Sequence, residues 1–246
     1  MGIYELISGF VGALDSFIWG PFMLVFLVGT GLYLTIILKG IQFRRLILSI
    51  KNLFESAFKK EEHKGDIPSF QALTTALSAT VGTGNIAGVA TAIVLGGPGA
   101  LFWMWVTSIV GMATKFSEVV LGVRYREVNE KGEISGGPMY YIQKGFKEKY
   151  NINAKFLAIL FSGFGVIASF GIGSMAQANS VVLAIVSNIG VGKSLSLPIF
   201  GEIFFTSAFL GLVLVVITGL VIFGGIKRIG EVTSFLVPFM SLLYLI

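Results

Sequence analysis

The chain has 246 residues, 54% of them hydrophobic and 13% charged, with a mean hydropathy of +0.86. Soluble domains carry nearer a quarter charged residues, so an ordinary soluble domain is excluded. The chain has no cysteine, which removes disulfides, thiolate zinc sites and cysteine nucleophiles, and its one histidine, His63, sits in a basic hydrophilic stretch that supports no metal cluster or histidine-based catalysis.

In chain order, stretches near 17–38, 69–95, 99–122, 154–189 and 204–225 reach the length of about 20 apolar residues that one membrane crossing needs. A sixth, VTSFLVPFMSLLYLI, occupies 232–246 and is short for a bilayer. The first stretch has no basic flank and no small-residue cleavage pattern, so it reads as a retained helix rather than a signal peptide. After it, Leu46, Ile47, Ile50, Leu53, Phe54 and Phe58 recur at helical spacing, with Arg44, Arg45, Lys51 and Glu55 on the other side. This predicts an amphipathic helix over 40–60, either lying on the inner membrane surface or packed as a connector beneath the spans.

The basic residues settle what the charge is for. Lys39, Arg44, Arg45, Lys51, Lys59, Lys60 and Lys64 lie between the first two stretches, and Arg124, Arg126, Lys131, Lys144, Lys147, Lys149 and Lys155 between the third and fourth. Lys227 and Arg228 follow the fifth, which leaves only Lys115 and Lys193 of the 18 outside this pattern. The alternation puts those loops in the cytoplasm and the N-terminus outside, in a multi-pass protein of the cell membrane. The positive charge is therefore topology, and nucleic acid is not a partner; membrane lipid is.

Within the third stretch Lys115 and Glu118 share a helix face. Ionisable residues in a span raise a functional hypothesis, but this pair sits towards the cytoplasmic end, where Lys115 can snorkel and the pair can serve structure. The fourth stretch is too long for one straight crossing and implies tilt or extension beyond the bilayer. It carries Ser174, Gln177, Asn179 and Ser180, which either face a central cavity or bond neighbouring helices.

The second stretch contains SATVGTGNIAGVA, residues 78–90. Backbone in hydrocarbon must satisfy its own hydrogen bonds, so a glycine-rich break there is tolerated only where protein or a water-filled cavity surrounds it. If VGTGN unwinds near 81–85, the second half-helix begins near Asn85 with free N–H groups and the positive dipole end, a site for a carboxylate. The first half ends near Ala79–Val81 with free carbonyls. Together with the hydroxyls of Ser78, Thr80 or Thr83 and the amide oxygen of Asn85, these are hard neutral ligands for an alkali cation. The competing reading is packing, because Gly84 and Gly88 form a GxxxG pair. A phosphate loop fits less well, since neither G-K-[ST] nor G-x-G-x-x-G is present.

The run QALTTALSATVGTGNIAGVATAIVLGGPGALFWMWVTSIVGMATKFSEVVLGVRYRE, continuing to ISGGPMYYIQKG, closely resembles the sodium:alanine symporter family, GGPGALFWMW being its most specific part. The resemblance runs from about residue 66 to the end. It implies an all-α polytopic membrane protein of leucine-transporter-like, inverted-repeat fold, of which this chain holds the first repeat plus an extra N-terminal helix. It further implies sodium-coupled symport of a small neutral amino acid, alanine or glycine, by alternating access, with sodium as coupling ion and no other cofactor. By similarity the amides of Gly82, Thr83 and Gly84 would face the substrate carboxylate, and Gln177 would contribute to substrate binding. Asn85 would ligate sodium beside it with the Thr80 region, and the carbonyls of Ser78 and Val81 would belong to a second sodium position. The chain would then be a fragment, stopping within the fifth core helix and requiring the second half of the transporter as partner. Proton coupling has no membrane-embedded carboxylate beside the break, and an enzyme has no nucleophile with a visible base. The alternatives are a proton-coupled amino-acid carrier and a non-transporting structural membrane subunit.

Overall fold

Residues 2–58, 66–130, 132–189, 194–197 and 201–245 are described by the computed structural model. His63, Lys59, Lys60, Lys64, Lys131 and Lys193 lie outside them. The described chain is almost entirely helical, with two short antiparallel hairpins in its loops. Among the described residues, four helical stretches are long and apolar enough to cross a membrane: Tyr4–Ile37, Pro98–Arg124, Lys155–Asn188 and Gly225–Leu245. A fifth is obtained if the bent pair Ser69–Thr80 and Gly84–Gly96 counts as one span.

Two compact units divide the chain. The first comprises residues 1–52 and 92–124. Its helices are α1 (Ile3–Ile18), α2 (Pro21–Ile37), α3 (Ile41–Arg44), the start of α4 (Leu46–Phe58), the end of α6 (Val89–Gly96) and α7 (Pro98–Arg124). The hydropathy profile starts the first span near 17, whereas α1 begins at Ile3 and joins α2 through Trp19 and Gly20 alone. Glu5, Ser8 and Asp15 dilute the apolar content of α1 and hide it. Between α6 and α7, Gly97 takes φ +65 and Pro98 opens the next helix. This pairing of left-handed glycine with a proline at the first helical position lets one helix end where the next begins.

Lipid tails supply no hydrophobic drive between helices, so small residues that let backbones approach decide where they pack. In α2 that residue is Gly31, which is buried. A Cβ there would meet the Val110 side chain and stand 2.9 Å from the Val110 carbonyl oxygen. Thr35 Oγ1 donates to the Gly31 carbonyl at 2.8 Å and accepts from Gln42 Nε2 at 3.1 Å, which ties the end of α2 to α3.

The second unit comprises residues 53–91 and 125–246. It contains α5 (Ser69–Thr80), a π-helical turn (Gly84–Gly88) leading into α6, and the hairpin β1 (Glu127–Val128) and β2 (Ile134–Ser135). Then come α8 (Pro138–Tyr150) and α9 (Lys155–Ala168), a second π-helical turn (Ser169–Met175), and α10 (Ala176–Ile189). The hairpin β3 (Ser194–Leu197) and β4 (Gly201–Phe204) precedes α11 (Phe205–Ile222) and α12 (Gly225–Leu245). Residues Lys155–Asn188 form one continuous helical rod of 34 residues, about 51 Å long, well beyond the ~30 Å hydrocarbon core. The last helix starts at Gly225, before the apolar run at 232, because Lys227, Arg228 and Glu231 lie in its first turns and depress the local hydropathy.

α5 and α12 pack against each other with their chains running in the same direction. Thr74 and Val237 are each 2% exposed. Thr75 and Thr233 share a hydroxyl hydrogen bond of 3.1 Å, and a Cβ on Gly230 would stand 3.0 Å from Gln71 Oε1. Below this pair, Asp66 Oδ2 accepts from the Ile134 amide at 3.3 Å, and Lys144 pairs with Glu127 at 2.8 Å, so the start of α5 and the face of α8 are both tied to the β1–β2 hairpin.

Replacing Gly31 by leucine is expected to lower the melting temperature of the detergent-purified protein by several degrees, since overpacking a close backbone contact costs ~1–3 kcal/mol. Gly29→Ala, at a position where a Cβ meets nothing within 4 Å, should leave it within about a degree.

Candidate functional site

Residues of α10 and α12 meet the chain just beyond the end of α5. The helix stops at Thr80, and Val81 leaves it with an extended backbone, φ −84 and ψ 106. Gly82 and Thr83 bridge to the π turn at Gly84, and the axis bends by 54° across the gap. The break thus falls at Val81–Thr83, inside the VGTGN stretch.

The hydrogen bonds around it depart from the helical ladder in a specific way. Thr83 N–H, which an α-helix would assign to the Ala79 carbonyl, goes instead to Gln177 Oε1 on α10 at 3.3 Å. Asn85 N–H, which would serve the Val81 carbonyl, turns back to the Gly82 carbonyl at 3.0 Å. The usual donors to the Ala79 and Val81 carbonyls are therefore engaged elsewhere. Ser78 Oγ donates to the Thr75 carbonyl at 2.7 Å and Thr80 Oγ1 to the Ala76 carbonyl at 2.9 Å. A hydroxyl whose proton is committed to its own helix presents only lone pairs outward, which suits a cation and does not suit an anion.

Gln177 reaches the break at two points. Besides accepting from Thr83, its Nε2 lies 3.0 Å from where a Cβ on Gly82 would stand. Glycine at 82 is what leaves room for the amide. By contrast, nothing lies within 4 Å of a Cβ on Gly84 or Gly88, so among the described residues the GxxxG pair supports no close helix approach. Of the polar residues expected on the long rod, Gln177 meets the break, whereas Ser174 and Ser180 bond carbonyls of their own helix, at Phe170 and Ala176. Asn179 is exposed.

One contact lay outside the sequence expectations. Tyr244, near the end of α12, donates its hydroxyl to the Asn85 carbonyl at 3.1 Å. A tyrosine in an apolar run carries no local mark of such a role; only the pairing of α12 with α5 places it there. The groups thus brought together are Gly82, Thr83 and Gln177 on one side, and Gly82, Asn85 and Tyr244 on the other. The Lys115–Glu118 pair, 3.1 Å apart and largely exposed, belongs to the first unit. Among the described residues no cluster of three acidic or histidine side chains could hold a metal ion.

Comparison with known proteins adds a family to this geometry. The model of the sodium:alanine symporter family matches residues 4–246. The sodium/alanine symporter AgcS of Methanococcus maripaludis is 49% identical over 96% of this chain and 48% of its own length. The putative sodium/proton-dependent alanine carrier protein YrbD of Bacillus subtilis is 36% identical over 97% of this chain and 44% of its own. The probable sodium/glutamine symporter GlnT of the same organism is 34% identical, over 98% and 46%. The chain spans about half the length of these curated relatives.

The Thr83–Gln177 bond yields a direct test. Gln177→Leu removes the acceptor, and Gly82→Ala pushes the amide away. Either change should speed hydrogen exchange of the peptide containing Thr83 by about twofold to tenfold, the range of one amide hydrogen bond, with peptides of α8 unchanged.

Proposed function

This chain belongs to the sodium:alanine symporter family, and on that footing we propose that it forms part of a sodium-coupled symporter of small neutral amino acids working by alternating access. The observation that carries the reading is the break at Val81–Thr83, which sets freed carbonyls and a helix start side by side. The substrate carboxylate lies against the amides of Gly82, Thr83 and Gly84, at the positive end of the second half-helix. Gln177 flanks it. Sodium sits beside it on neutral oxygens drawn from Ser78, Thr80, Val81 and Asn85. Two like-placed opposite charges, one from each solute, stabilise each other at the gap, as expected of transporters built on discontinuous helices.

In this reading the helices form the first repeat of a leucine-transporter-like, inverted-repeat fold, with α2 as a peripheral addition, and a second repeat completes both subsites. The N-terminus lies outside and the β1–β2 hairpin and α8 lie in the cytoplasm, because stretches 39–64 and 124–155 each hold seven of the 18 lysines and arginines. Alanine or glycine is the substrate class, favoured by the small residues of the break and by the name of the relative AgcS. Among the described residues the side chains that hydrogen-bond to the backbone of the break are Gln177 and Tyr244, neither a carboxylate, which favours a metal cation over a proton.

Sodium and substrate then bind cooperatively, and the coupling is reciprocal. Labelled-alanine uptake into proteoliposomes holding the full-length protein should depend on an inward sodium gradient, and Asn85→Ala should reduce it by at least about tenfold, the loss of one charge-assisted contact or more. Uptake indifferent to sodium, or full activity without Asn85, would sink the proposal.

A further inference from the structure

We propose that Tyr244 is a positioning residue for the break, setting the direction of the Asn85 side chain by holding the Asn85 backbone; the inference rests on the assignment of Asn85 to the cation. The two peptide planes that flank an α-carbon fix where its side chain points. At Asn85 both are tied down. The Gly84–Asn85 peptide gives its N–H to the Gly82 carbonyl at 3.0 Å, and the Asn85–Ile86 peptide has its carbonyl held by the Tyr244 hydroxyl at 3.1 Å.

The second tie comes from a helix that is itself fixed on the other side of the gap. α12 is registered on α5 by the Thr75–Thr233 bond and the seat of Gly230 against Gln71. The eleven residues from Thr233 to Tyr244, Pro238 among them, would rise about 16 Å in a regular helix, and the phenol meets the start of the second half-helix beyond the end of α5 at Thr80. α12 therefore spans the break like a brace, with one hydroxyl contact below it and one above. A bend that no ladder bond crosses in the usual register needs such an external tie to hold one angle.

The chemistry suits the task. A phenol is a neutral donor, so it satisfies the carbonyl without bringing a positive charge beside a cation site. Tyr244→Phe removes the hydroxyl alone and keeps the ring of a residue that is 59% exposed, so it isolates the effect.

The test is sodium-dependent alanine uptake by the full-length protein in proteoliposomes, comparing wild type, Tyr244→Phe and Asn85→Ala. Tyr244→Phe should raise the sodium concentration for half-maximal uptake by about threefold to tenfold, the range expected of one hydrogen bond, and should raise the alanine KM in the same direction through linkage. The maximal rate at saturating sodium and alanine should stay within about twofold. A lowered maximal rate with both half-saturation values unchanged would mark a purely structural role and overturn the inference. So would wild-type behaviour of Tyr244→Phe beside a disabled Asn85→Ala. Sodium dependence that survives Asn85→Ala would instead fail the functional reading itself. Sodium-induced protection of the 82–86 backbone from hydrogen exchange in detergent supplies a second readout, independent of reconstitution; it should need correspondingly more sodium in Tyr244→Phe, and an unchanged sodium requirement there would also overturn the inference.

Discussion

A helix interrupted within hydrocarbon leaves polar groups that water cannot reach, and each costs free energy until something satisfies it. That constraint organises the second unit. Thr83 N–H finds Gln177, Asn85 N–H finds the Gly82 carbonyl, and the Asn85 carbonyl finds Tyr244. Three separate elements, the break itself, α10 and α12, thus have to arrive at one place for the interruption to persist. The proposed substrates are the same kind of answer: a carboxylate for the remaining amides and a cation for the freed carbonyls.

The partners are of unequal kind, and the difference has meaning. The Thr75–Thr233 pair is fixed by helix packing around Thr74 and Val237, and Tyr244 extends from the far end of the same helix. Gln177 approaches by the end of a flexible side chain, over a glycine that leaves it space. Its amide oxygen occupies a donor that the functional reading assigns to a carboxylate, so substrate binding there exchanges one oxygen for another at Thr83 and need not create a hydrogen bond from nothing. The net gain is then electrostatic more than it is a matter of bond count.

The break was legible because its composition contradicts its surroundings: glycine, threonine and asparagine in an otherwise apolar span can only be there for a reason. Gln177 was legible for the same reason on the long rod. The partnership between Gln177 and Thr83, 94 residues apart, was not, because residues that far apart meet only through topology. Tyr244 was hidden twice over, as an aromatic residue in an apolar segment and as a contact 159 residues away. Hydropathy also misplaced ends where charges lie inside helices, as at α1 and the first turns of α12. The GxxxG spacing pointed to packing that the described residues do not use, because small residues permit close approach without requiring it.

The second π turn, Ser169–Met175, immediately precedes the turn that carries Gln177. A π turn takes more residues to go once round the axis than an α turn does, so it offsets the phase of everything beyond it against everything before. The face that α9 packs on α8 through Ala158 and the face that Gln177 turns to the break are therefore not one continuous stripe of a regular helix. The rod works like two keys cut on a single shaft, with Ser169–Met175 setting the angle between them. For such a shaft the count of residues between Ala158 and Gln177 matters as much as their identity: one residue more or fewer would rotate the amide about 100° away from Gly82 while every local helical bond stayed intact.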